Sequence, residues 1–65
     1  MDIEKVIKDQ DGTEYYAKDY RVGAEVTYEE QGTFGGYRNT FRVICGPNGE
    51  KFWHLVNQEK LYDSR

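Results

Sequence analysis

Cysteine, histidine, tryptophan and proline occur once each in these 65 residues, as Cys45, His54, Trp53 and Pro47. A lone cysteine rules out an intrachain disulfide, and with it a disulfide-stapled secreted scaffold. One Cys and one His fall short of the about four N/S ligands of a structural zinc site, so no metal and no cofactor are expected. A Cys45–His54 nucleophilic pair would need an exposed thiol beside the imidazole. Cys45 instead sits in an apolar run and is expected to be buried and inert. No run of about 18 apolar residues is present to cross a membrane, and no charged-then-apolar leader opens the chain. A reducing, cytoplasmic setting away from membranes is therefore expected. Gly32-x-x-Gly35-Gly36 neither precedes a helix nor carries the lysine of a phosphate loop. The expectation is a protein that is not an enzyme.

What the chain does have is aromatic residues: 15% of the total, six of them Tyr. Tyr, Phe and Trp bury large areas each, which suits a compact core drawn from few residues. At this length the chain is expected to be one small β domain over residues 1–65, a hairpin over 1–18 and a meander over 19–65. The net charge of −3 is unevenly spread. Residues 1–36 hold nine Asp/Glu and four Lys/Arg, or −5; residues 37–65 hold three and five, or +2. Such a split marks either an interaction surface or chance clustering on a solvated one.

The stretch 37–57 reads as one hairpin. Phe41–Cys45 and Lys51–Val56 are rich in β-branched and aromatic residues, and Gly46-Pro47-Asn48-Gly49 between them is a turn with a mechanism. Pro47 pre-sets φ, and Gly49 can take the left-handed exit. A three-residue loop sets Val43 opposite Trp53 and Phe41 opposite Leu55. Tyr37, Phe41, Val43, Cys45, Trp53 and Leu55 then share one face; Arg38, Thr40, Arg42, Ile44, Phe52, His54 and Val56 share the other. A loop of another length would set Arg42 against Trp53, because a one-residue slip moves a whole strand's side chains across the sheet.

Upstream, Asp9-Gln10-Asp11-Gly12 offers the same loop type. It pairs Lys8 with Glu14, Ile7 with Tyr15, Val6 with Tyr16, Lys5 with Ala17 and Glu4 with Lys18; a helix over 2–10 is the competing reading. Tyr20–Tyr28 alternates as a half-buried strand, with Gly23 marking a bulge or bend. Residues 30–36 read as a glycine-rich loop that leaves Phe34 at its tip, either capping a barrel end or meeting a partner. Gln58-Glu-Lys60 suggests a helical turn, and Leu61-Tyr62 a closing strand or an edge cover.

These signals predict an all-β fold, a five-stranded curled sheet or small barrel with one short helical turn near the C-terminus. Residues 19–62 resemble SH3-like barrels in the order of their parts: Tyr-Arg-Val-Gly-Ala-Glu-Val, a loop, a strand–turn–strand meander, a helical turn and a last strand. The local motif is Val22-Gly23-x-x-Val26, and the likeness covers about two thirds of the chain. The acidic loop, Trp-Trp pair and Pro-Tyr pair of peptide-binding SH3 domains are absent, so proline-peptide binding is not implied.

Function is read by elimination. Arg38, Arg42, Lys51 and His54 lie among Tyr37, Phe41, Phe52 and Trp53, the pattern by which small barrels stack bases and hold phosphates. An acidic chain gives no long-range attraction to a polyanion, which disfavours single-stranded nucleic acid. Protein binding is the favoured reading, by a module or regulator. Its surface would be an aromatic and Arg patch (Phe34, Tyr37, Arg38, Arg42, Phe52, His54) and an acidic wet face (Glu25, Glu29, Glu30, with Asp19). Open edge strands would also permit pairing into a homodimer.

Overall fold

The computed structural model describes residues 3–32 and 35–63, the side chain of Asp63 excepted. Two glycine-ended turns set its frame. In the central hairpin the Gly46 amide donates to the Glu50 carbonyl at 2.7 Å and the Gly49 amide to the Gly46 carbonyl at 3.1 Å. Gly49 takes φ +82°, the left-handed value that side chains disfavour. The turn joins β5 (Gly35–Cys45) to β6 (Lys51–Asp63) with Val43 opposite Trp53 and Phe41 opposite Leu55, the expected register. β4 (Glu25–Gly32) pairs with β5 from Glu25–Arg42 to Gly32–Gly35. A two-residue β1 (Ile3–Glu4) joins the far side of β6, giving an antiparallel sheet in the order β1-β6-β5-β4.

The first hairpin is a separate sheet of β2 (Val6–Lys8) and β3 (Glu14–Tyr16). Asp9 organises its turn: Oδ1 accepts from the amides of Asp11 at 2.9 Å and Thr13 at 3.0 Å, and Gly12 adopts φ +85°. The expected pairs Val6–Tyr16, Ile7–Tyr15 and Lys8–Glu14 are all formed. Beyond them the prediction ends. The Ala17 amide still reaches the Lys5 carbonyl, but Glu4 pairs with Trp53 rather than Lys18, because the chain changes sheets at Lys5.

That crossing lays the first hairpin over the inner face of the meander, where Ile7, Ala17, Phe41, Val43 and Trp53 form the buried core. Trp53 is fully buried; its Nε1–H donates to the Tyr15 carbonyl at 2.9 Å, and the Tyr20 ring meets it edge-on at 5.2 Å. Burying an indole removes roughly 200 Å² from water, worth about 5 kcal/mol at about 25 cal/mol per Å². Tyr28 stacks on Phe41 at the margin of this core.

Several expectations are corrected. The fold is all-β as expected, but it is built of two open sheets rather than one five-stranded sheet, and among the described residues no barrel closes. Tyr20–Ala24 is not strand: Gly23 takes φ +95°, and Val22 is 54% exposed. The Gly23 amide and the Ala24 carbonyl still bond to Val43, so the kink belongs to the sheet. The helical turn is Ala17–Asp19, whereas Gln58–Lys60 continues β6. The loop expected over residues 30–36 is shorter as well: β4 runs to Gly32 and β5 starts at Gly35. Cys45 is exposed, since it stands at the end of β5 opposite Lys51, where the sheet outruns its cover.

Candidate functional site: the outer face of the meander

Strand alternation decides which candidate residues can act together. Cross-strand partners share a face, so Glu25, Arg42 and His54 form one row, Thr27, Thr40 and Asn57 the next, and Glu29, Arg38 and Glu59 a third. These rows lie on the outer face, away from the first hairpin. Arg42 grips one carboxylate oxygen of Glu25 through Nε at 2.9 Å and a terminal nitrogen at 2.6 Å. Arg38 spans Glu59 at 3.1 Å and Glu29 at 3.4 Å. The Thr27 and Thr40 hydroxyls share a hydrogen bond of 3.1 Å between these ion pairs. The expected Arg patch and acidic face are therefore largely one surface, and its charges offset each other.

Toward the central turn this surface becomes apolar. Ile44 pairs with Phe52, and β1 brings Ile3 opposite His54. Ile3, Ile44, Phe52 and Pro47, with Glu4 and Lys5, line a groove of about 540 Å³. Lys5 Nζ lies 5.9 Å from the Phe52 ring centroid and 2.9 Å from Glu50. The Phe52 ring also lies over Gly46, where an added Cβ would stand 2.7 Å from it. His54 is half-buried, and its Nδ1 is the buried side-chain polar atom, among the described residues, that makes no hydrogen bond.

Tyr37 and Glu30 belong elsewhere. Both lie on the inner face in a row with Lys60, opposite the side that carries Arg38 and Arg42. Glu30 accepts from Asn39 Nδ2 at 3.3 Å, and Asn39 Oδ1 accepts from Gln58 at 2.9 Å. Asn39 is 4% exposed, so these bonds satisfy a side chain that burial would otherwise penalise. Neighbouring Tyr28 has its pKa raised, by burial first and then by the Glu30 charge. Phe34 lies outside the described residues.

Of the six aromatic and basic candidates, the structure brings together Arg38, Arg42, Phe52 and His54, and adds Glu25 and Glu29 to the same face. Asp19 sits apart, in the turn after the first hairpin. Ile3 and Pro47 were missed as site residues; Ile3 arrives through a pairing that spans most of the chain and leaves no local signal. Among the described residues no group of His, Cys, Asp and Glu is placed to hold a metal ion, and no helix is long and apolar enough to cross a membrane. No family model matches this chain, and no curated protein or solved structure is significantly similar to it.

Proposed function

We propose that this protein is a binding module for another protein, acting through the outer face of the meander. One observation carries the reading: Ile3, Ile44, Pro47 and Phe52, with Glu4 and Lys5 at the same site, line a groove that no other element of the described residues covers. Beside it stand ion pairs whose charges are already matched, the usual composition of an interface with an apolar centre and a polar rim. A polyanion finds little here, because Arg38 and Arg42 are held by Glu29, Glu59 and Glu25. That supports protein over nucleic acid. The SH3-like arrangement belongs to the same proposal, with the first hairpin as the second layer of an open, barrel-like sandwich.

The test is affinity capture from the source organism with the wild-type chain and Ile44→Lys, followed by reconstitution of the captured protein and backbone NMR mapping. Shifts at Ile3, Ile44, Phe52 and His54, with binding lost in a folded Ile44→Lys, support the reading. Shifts on the inner face, or capture indifferent to Ile44→Lys, overturn it. A second reading rests on β4, whose outer edge is unpaired in the strand order. Two copies joined there would give a dimer in sedimentation that a proline at Tyr28 abolishes.

A further inference from the structure

A second groove, sharing only Lys5 with the outer-face groove, runs between the first hairpin and the central turn. Its volume is about 500 Å³, and Lys5, Val6, Tyr16, Lys18, Gly49, Glu50 and Lys51 line it. Three lysines and one glutamate thus contribute to its lining, in a chain whose formal charge is −3.

Each ammonium is also anchored. Lys51 Nζ donates to the Tyr20 carbonyl at 2.7 Å, tying the strand that follows the central turn to the segment after the first hairpin. Lys5 Nζ pairs with Glu50 at 2.9 Å. Lys18 Nζ lies 5.7 Å from the centroid of the Tyr16 ring, whose hydroxyl is fixed by donating to Glu14 at 2.9 Å. An ammonium has three donors, so one anchoring bond leaves capacity for a ligand while lowering the entropy lost on binding. The walls between the charges are Val6, lysine stems and the partly exposed Tyr16 ring.

We infer that this groove binds a compact anion of the mononucleotide class, its phosphate among Lys5, Lys18 and Lys51 and its flat ring against Val6 and Tyr16. The groove has the size of a small-ligand site. A long polyanion fits less well, because the chain as a whole is acidic and repels it beyond the groove. An acidic peptide would leave the ring surface unused. The inference is independent of the outer-face proposal.

The experiment is NMR titration of the full chain with adenosine monophosphate, inorganic phosphate, adenosine, a short oligothymidylate and a poly-glutamate peptide. Adenosine monophosphate should move the amides of Lys5, Val6, Tyr16, Lys18 and residues 49–51 saturably, and should bind more tightly than phosphate or adenosine. Lys5→Gln and Lys18→Gln should each weaken it about tenfold, Lys18→Arg should restore it, and Lys8→Gln, outside the groove, should leave it unchanged. Both lysines are surface side chains, so the variants should keep the wild-type spectrum. Absence of saturable shifts, shifts elsewhere, an equal loss in Lys8→Gln, or tighter binding of the oligonucleotide or the peptide would each overturn the inference. None of these outcomes bears on binding of a protein to the outer face.

Discussion

At the scale of single residues, Trp53 and Asp9 do most to hold the two sheets and their turns in place. Replacing Trp53 by Phe removes the donor to the Tyr15 carbonyl and leaves part of the indole volume empty. The expected loss is about 2–4 kcal/mol, large against the about 5–15 kcal/mol of a typical domain and readable in urea unfolding. Asp9 acts through charge. Burial pushes its pKa up, but hydrogen bonds from the Tyr15 hydroxyl and the amides of Thr13 and Asp11 outweigh that and hold it below 3.8. Its contribution is therefore complete above about pH 4 and lost as the pH falls through the lowered value. Tyr15 mirrors this: its bond to Asp9, then burial, raise its pKa above 10.0, so its contribution is complete below 10 and lost as the pH rises through the raised value. The first hairpin should thus weaken at both extremes. Amide exchange of Asp11–Thr13 across pH, compared with Asp9→Asn, checks this; the variant should lose the acid-side dependence.

At the scale of elements, the central turn carries the register on which both faces depend. Gly49→Ala forces a Cβ into the left-handed region although space around it is open, and should cost about 1–2 kcal/mol in denaturant unfolding without moving the Val43–Trp53 pairing. The Glu25–Arg42 pair is short at 2.6 Å, yet both side chains are about half exposed, and Arg42→Ala should cost no more than about 1 kcal/mol. Such a small cost would show that the pair contributes little to stability. Both turns were legible in the sequence because Gly12 and Gly49 answer to local backbone chemistry. The inward path of Trp53 followed from the second of them. Three things were not legible. Lys5 changes sheets where no residue marks a break, Cys45 lies past the end of its cover, and Glu25 and Glu29 face Arg42 and Arg38 only once β4 is placed beside β5. Each depends on a contact between distant parts of the chain. Glu30 fell on the wrong side for a simpler reason, since alternation alone separates it from Glu29.

At the scale of the whole molecule, shape is the unexpected property. The radius of gyration is 12.7 Å, and the extents are 44 × 19 × 17 Å. A compact chain of this length would have a radius near about 10.7 Å. The excess comes from the far half of the meander, where β4, β5 and β6 run on past Phe41 while the buried core stops there. Tyr62 supplies part of the missing cover: its ring lies across Gly36, where an added Cβ would stand 2.7 Å from Cζ. Three strands with only such local cover are weakly held, because sheet stability comes from a packed face more than from ladder hydrogen bonds. Hydrogen exchange should therefore divide the meander. Amides of Glu29, Gln31 and Arg38 should exchange well before those of Phe41, Val43 and Trp53, which should report global unfolding. If a second copy or a partner covers the arm, the early group should slow as protein or partner is added while the core group changes little. Uniform protection along all three strands at high dilution would show instead that the arm and the core unfold as one unit.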